Sequence, residues 1–365
     1  MTKCYGNLNY INKEYNDRQY TTVRYDCTGK SIVAGAVNGV VTVYETKTLE
    51  KQHVLTTPPL DNDDFVPVTS VAPFPLRRAS YGTRCFVSYS NGLLKLWNIA
   101  EEKSLVTLNE ARQSRGVRIH PNFPIFASYG EDSKIFIYNE ETMSVRQTHT
   151  LSAFAPKKDG HVGSICTLVF HPQNANEFLT AGWDNSVHYW DLRRANSPRS
   201  VQGLNITGDG LDISPNGKEI LTCIFQDKNS LQTWDYATAK FLQTYEADLF
   251  NSKLNCGKWF DSNYIATGGC DPAIFRIVNV PKKRSCGYYR SQQWGIISFD
   301  IFTDVEEPRP TEMHDEDPTR HTFKKGYEGS SRLEVTADDE SRKMYKMVYC
   351  MNRHLVEANA VLPSS

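Results

Sequence analysis

"AGWDNSVHYWDLRR", residues 181–194, places an acid, Asp184, six residues ahead of Trp190, which a second acid, Asp191, follows directly. Between them Ser186-Val187-His188-Tyr189 mixes polar, β-branched and aromatic side chains, and that alternation predicts a strand. Asp184-Asn185 ahead of it predicts a tight turn, because short Asx side chains bond their own backbone and tolerate left-handed φ. A single hairpin fits many β folds, whereas a repeated one specifies an architecture. An aromatic six residues after an Asp or Asn recurs along most of the chain. The pairs are Asn38/Tyr44, Asn91/Trp97, Asp132/Tyr138, Asp184/Trp190 and, with one extra turn residue, Asp227/Trp234. "TGGCDPAIFRIV" keeps Asp271 but carries Ile277 at the aromatic place, and "VTADDESRKMYKM" offers a weaker Asp339/Tyr345.

Successive turns lie mostly 41 to 53 residues apart, the length of a four-stranded unit. Several hairpins follow a strand that closes on proline: "VRIHP", "LVFHP" and "LDISP". With Trp-Asp ending the best copy, the chain resembles the WD-repeat β-propeller family over about residues 20–350. The resemblance implies an all-β chain forming a single seven-bladed propeller, with the fourth blade the most regular. The wording of blades five and six ("GLDISPNGKEILTC", "CDPAIFRIVNV") resembles one group within that family, which supports the fold and leaves the function open.

The fourth copy also begins with the family's Gly-His pair, in "GHVGSICTLVFHP". By that resemblance His161, Thr180, Asp184 and Trp190 form an internal hydrogen-bond network, a structural role rather than a catalytic one. The physics agrees, since polar groups inside a sheet must be paired. Other copies lack Gly-His, so their networks are expected to be partial.

Residues 1–350 are expected to form the propeller, with "NLNYINKEY" (7–15) completing the last blade beside 342–350. In that blade "GIISFDIF" supplies the inner strand and 333–349 the hairpin. Residues 304–330 read as a loop insertion: 304–317 hold seven acids against one Arg and two prolines, too little apolar surface to offset ordering entropy. It is either a solvated loop or an acidic arm for a basic partner. Residues 351–365 read as a short helix or a frayed tail.

Charge is balanced, 41 basic against 42 acidic residues, so no global field points to nucleic acid or to a membrane. No apolar run is long enough to span a bilayer, and "MTKCYGNLNYINKEY" has no signal-peptide core. The nine cysteines are never spaced C-x-x-C, which argues against a zinc ribbon or a disulfide framework and for reduced residues in the cytoplasm. Nucleophile-elbow, phosphate-loop and H-E-x-x-H patterns are absent, so no enzyme, cofactor or metal is expected. His120 and His171 precede prolines at equivalent strand ends and read as repeat positions, and His314 and His321 fall in the acidic insertion without a rigid ligand set. "VPKKRSCGYYR" (280–290) reads first as a solvated connector and second as a phosphate contact or nuclear signal.

What remains is a rigid disc that binds proteins or peptides through its loops. By resemblance, the residue before each turn acid lies near the top face: Val37, Ser90, Glu131, Trp183, Cys270 and Asp338. Inner-strand starts add Thr21, Thr69, Arg115, Cys166, Asp209 and Cys256. Trp183 and Arg115 are of the types enriched in binding hot spots, and with Glu131 and Asp209 they make the candidate partner site. A second reading is a substrate receptor of a cullin-type ubiquitin ligase. "FLTAGWDNSVHYWDLR" (178–193) resembles the receptor box ending Trp-Asp-x-Arg, carried by Trp190, Asp191 and Arg193, residues that also make sense as strand-end charges.

Overall fold

A computed structural model describes residues 4–6, 8–15, 19–57, 65–75, 83–153, 159–245, 250–290, 295–304, 342–351 and 354–363. They form seven antiparallel sheets arranged as a seven-bladed β-propeller. The fourth blade shows the plan, each strand pairing with the next in the chain: Ile165–Phe170, Glu177–Gly182, Ser186–Asp191, Arg199–Gln202. The second and third of these are buried almost throughout, because a neighbouring blade covers each face. Outer strands face water on one side, and Lys103–Asn109 alternates exposed and half-buried residues along its length.

The recurring Asp or Asn earns its spacing in the turns. The side chains of Asn38, Asn91, Asp132 and Asp184 each accept from the backbone N–H two residues on, at 3.2–3.3 Å. The residue between is left-handed in every case: Gly39, Gly92, Ser133 and Asn185. Gly92 has no substitute, since a Cβ there would stand 2.2 Å from the Arg112 carbonyl oxygen.

Each interface between neighbouring blades holds its own apolar cluster. Trp190 packs with Ile125, Ile137 and Phe178 between blades three and four. Tyr20 and Val23 pack with Val348 and Leu355, which joins the seventh blade to the first. The ring is thereby closed by burial as well as by pairing.

The seventh blade departs from the expectation. Its order runs from Ser298–Asp304 through Arg342–Met351 and His354–Pro363 to Leu8–Tyr15 outermost. The N-terminal strand therefore pairs with 354–363, not with 342–350. The supposed tail 351–365 holds the blade's third strand, whose His354 pairs with Met351. Tyr345 belongs to the second strand, pairing with Thr303 and Ala360, while Asp339 and Asp338 lie outside the described residues. So does the acidic insertion apart from Asp304. "HLVEANAVLP" carries Glu, Asn and Ala, poor strand formers alone, and becomes a strand because partners on both sides take up its backbone. Its Glu357 is buried, and burial pushes the carboxyl up to about 7. Cys4–Gly6 adds a fifth, outermost strand to the sixth blade, so the N-terminal segment spans two blades.

Candidate functional site

The fourth-blade residues meet in one network. His161 Nδ1 lies 3.0 Å from Asp184 Oδ2, and because a carboxylate only accepts, the ring nitrogen donates. Trp190 Nε1–H donates to Thr180 Oγ1 at 2.7 Å, and Thr180 sits 2.7 Å from His161 Nε2. Asp184 also accepts from Ser186 Oγ at 2.6 Å and from the Val162 N–H at 2.9 Å. Burial alone would raise its carboxyl, but these bonds, His161 first, hold it well below the usual carboxylate range.

The third blade builds an analogous network from other residues. Arg112 donates to Asp132 at 2.7 Å and to Ser128 Oγ at 2.7 Å, in the places of histidine, aspartate and threonine. Glu110 completes it, accepting from Arg112 at 3.0 Å, from the Tyr138 hydroxyl at 2.7 Å and from Ser128. In the fifth blade Trp234 Nε1–H reaches Thr222 Oγ1 at 3.1 Å, while Asp227 stays exposed.

Toward the top face, β-bulges decide which side chains reach the central channel. Pairing skips one residue at Thr21, Thr69, Arg115, Cys166 and Asn255. A bulge bends its strand and re-aims the extra residue, and the first four of these line a cavity of about 440 Å³ at the channel mouth. In the sixth blade the extra residue is Asn255, not the expected Cys256, which is buried against Phe275 and Ile296. Ser90 and Trp183 also line the cavity. Val37 and Glu131 are exposed and Cys270 half-buried.

Trp183 is 52% exposed, and the Arg115 guanidinium lies 4.5 Å from its ring centroid. Arg115 also donates to Glu131 at 3.2 Å. The three expected rim residues thus meet, with Glu131 balancing Arg115 in the free protein. Asp209 lies deeper and is already engaged: it accepts from Arg118 at 2.6 Å, from Thr167 Oγ1 at 2.9 Å and from Arg24. Burial would raise its carboxyl, but the charges of Arg118, Arg24 and Lys258 hold it far below the ordinary range. It closes the floor of the mouth instead of offering a free contact.

Beyond that floor lie Lys258 and Asp300, 2.6 Å apart, and Asp212. Burial pushes Asp212 up to about 7, against Lys258 and the backbone N–H groups of Trp259 and Ile213. Sequence reasoning missed these channel charges. Arg24, Arg118, Asp212, Lys258 and Asp300 each follow a core residue of an inner strand, a register that would have exposed them.

Among the described residues, one group of three ligand-type side chains, His161, Asp184 and His188, has its donor atoms within 4.8 Å of one another. Both His161 nitrogens already face Asp184 and Thr180, so the group serves the blade. In the Trp-Asp-x-Arg stretch Trp190 is buried, and Asp191 takes bonds from its own neighbour Arg193 at 2.6 and 2.8 Å. The pair holds the Asp191 carboxyl down at about 2, as strand-end charges do.

Residues 148–191 match the family model described as "WD domain, G-beta repeat". The chain is also similar to the transcriptional corepressor LEUNIG_HOMOLOG of Arabidopsis thaliana, 30% identical over 30% of this chain and 13% of that protein. It is 26% identical to histone acetyltransferase type B subunit 2 of Candida glabrata, over 39% of this chain and 33% of that protein. Identity is again 26% with the Arabidopsis thaliana cell division cycle 20.1, cofactor of APC complex, over 62% of this chain and 46% of the relative. The chain therefore matches less than half the length of each of these relatives.

Proposed function

The chain belongs to the WD-repeat β-propellers, typically protein-interaction scaffolds or adaptors, and we propose that it is a non-catalytic scaffold docking a protein or peptide at the top mouth of its channel. One observation carries the reading: half-exposed Trp183, stacked under Arg115 at the rim of a cavity. An exposed tryptophan on the rim of the disc keeps apolar area in contact with water, and a partner gains by covering it. Glu131 and Trp183 hold Arg115 in place before binding, so little side-chain entropy is lost on docking. Trp183 lies in the tight turn between two strands of blade four and Arg115 on the inner strand of blade three, so each is anchored by a paired sheet.

The test compares partners recovered by wild type, Trp183→Ala and Arg193→Ala. Trp183→Ala is expected to weaken the chief partner by about 2 kcal/mol, roughly thirtyfold in affinity, at an unchanged melting temperature. Arg193→Ala, which removes only a surface partner of Asp191, is expected to leave the partners in place. Retention of every partner by Trp183→Ala, with loss in Arg193→Ala, refutes the scaffold reading in favour of a ligase receptor.

A further inference from the structure

Three arginines, Arg24, Arg115 and Arg118, line the mouth cavity against a single carboxylate, Asp209. Counting Glu131 on the rim leaves one positive charge in surplus. Lys258 pairs with Asp300 at 2.6 Å, and with Asp212 they line the neighbouring cavities, where the Asp300 charge also acts on Arg24 and Arg118.

The donors differ in how fully they are used. Arg24 Nη1 faces the Val23 carbonyl at 2.7 Å and Ser298 Oγ at 2.9 Å, while its Nη2 faces Asp209. Arg118 is divided between Asp209 and Ser70 Oγ, the latter at 3.2 Å. Arg115 has the Glu131 bond, and its Nε is buried with no hydrogen-bond partner. A buried N–H without an acceptor is costly, and an acceptor brought by a ligand removes that cost. The unmet donor sits on the Arg115 guanidinium, beside Trp183, while the surplus charge is shared by Arg24 and Arg118 around Asp209.

We infer that this cavity takes an anionic side chain of a partner segment, a carboxylate or a phosphate, seated on Arg115 and flanked by the Trp183 ring. The inference rests on the docking reading above and adds the chemistry of what docks. At about 440 Å³ the cavity lies within the range of ordinary ligand sites of ~300–1,000 Å³. The charge argues for one anionic group on a peptide over a nucleic acid. A surplus of one, on a chain of formal net charge −1, cannot neutralise a run of phosphates. A basic side chain would meet three guanidiniums and is disfavoured.

The experiment uses the immobilised full chain and four degenerate nonapeptide libraries, alike but for a fixed central residue: glutamate, phosphoserine, lysine or alanine. Retention of the glutamate or phosphoserine library is expected to exceed that of the lysine and alanine libraries by about tenfold, the worth of one charge-assisted bond. Which of the two leads, and whether millimolar inorganic phosphate displaces it, distinguishes carboxylate from phosphate. Arg115→Gln, a rim change whose folding is checked by melting temperature, is expected to erase the preference. Trp183→Ala is expected to lower retention of every library. Equal retention of all four, a lead for lysine, no retention at all, or a preference that survives Arg115→Gln overturns the inference. Retention without anionic preference that Trp183→Ala still abolishes leaves the docking face standing and removes only the anion. Failure of the docking reading itself is judged separately, by the partners recovered with Trp183→Ala.

Discussion

Asp209→Ala removes the one carboxylate that holds Arg24 and Arg118 together at the channel floor. The three side chains are 17%, 10% and 20% exposed, so solvent screens them only in part. Removing one member of a buried ion pair costs about 3–5 kcal/mol, because the remaining charge stays buried and unpaired. Partial access to water places this site at the lower end, about 3 kcal/mol. The Thr167 bond and the two guanidinium bonds are lost together, and Asp209 thereby disconnects blades one, three and four. At roughly 2 cal/mol/K per residue over roughly 300 ordered residues, 3 kcal/mol lowers the melting temperature by about 5 °C. Urea unfolding of Asp209→Ala, Arg118→Ala and the double variant isolates the pair. The double variant is expected to fall short of the summed single losses by about 2 kcal/mol. The depressed pKa of Asp209 sets the sign with pH: its contribution is complete above the unfolded carboxylate value near 4 and is lost as pH falls toward the folded value. An unchanged melting temperature in Asp209→Ala, or strictly additive single losses, refutes the account of Asp209 as the clasp of the channel.

Thr180→Val keeps the shape of the fourth blade but leaves Trp190 Nε1–H and His161 Nε2 without their shared partner; a loss of about 1–3 kcal/mol is expected in urea unfolding, against about 3–5 kcal/mol for the cavity left by Trp190→Ala. Burial lowers His149 to about 4 and His188 to about 3, so between those values and the unfolded value near 6.5 the unfolded chain binds more protons. Stability is therefore expected to fall as pH drops from 6.5 toward 4, by up to about 3 kcal/mol for each imidazole, and the slope is expected to shrink when both are replaced by Gln.

Much of the disc is written locally. An Asx residue followed by a left-handed one and a short strand decides a hairpin within a dozen residues, so blades one to four read directly from Asn38, Asn91, Asp132 and Asp184. The fourth-blade network was legible for the same reason: Thr180, Asp184 and Trp190 share one hairpin, and His161 lies just ahead of it. Other features depend on partners far along the chain. His354–Pro363 is a strand because Leu8–Tyr15, some 350 residues earlier in sequence, pairs with its free side. Asn255 displaces Cys256 from the expected channel position because a bulge, set by pairing with the neighbouring strand, shifts the register by one and turns each side chain to the other side. Arg24, Arg118 and Asp209 are single charges on segments about ninety residues apart, and nothing near any of them in sequence signals the others. They meet only because the ring closes and aims its inner strands at one axis. There, with only partial access to water, each charge has to find its counter-charge on another blade.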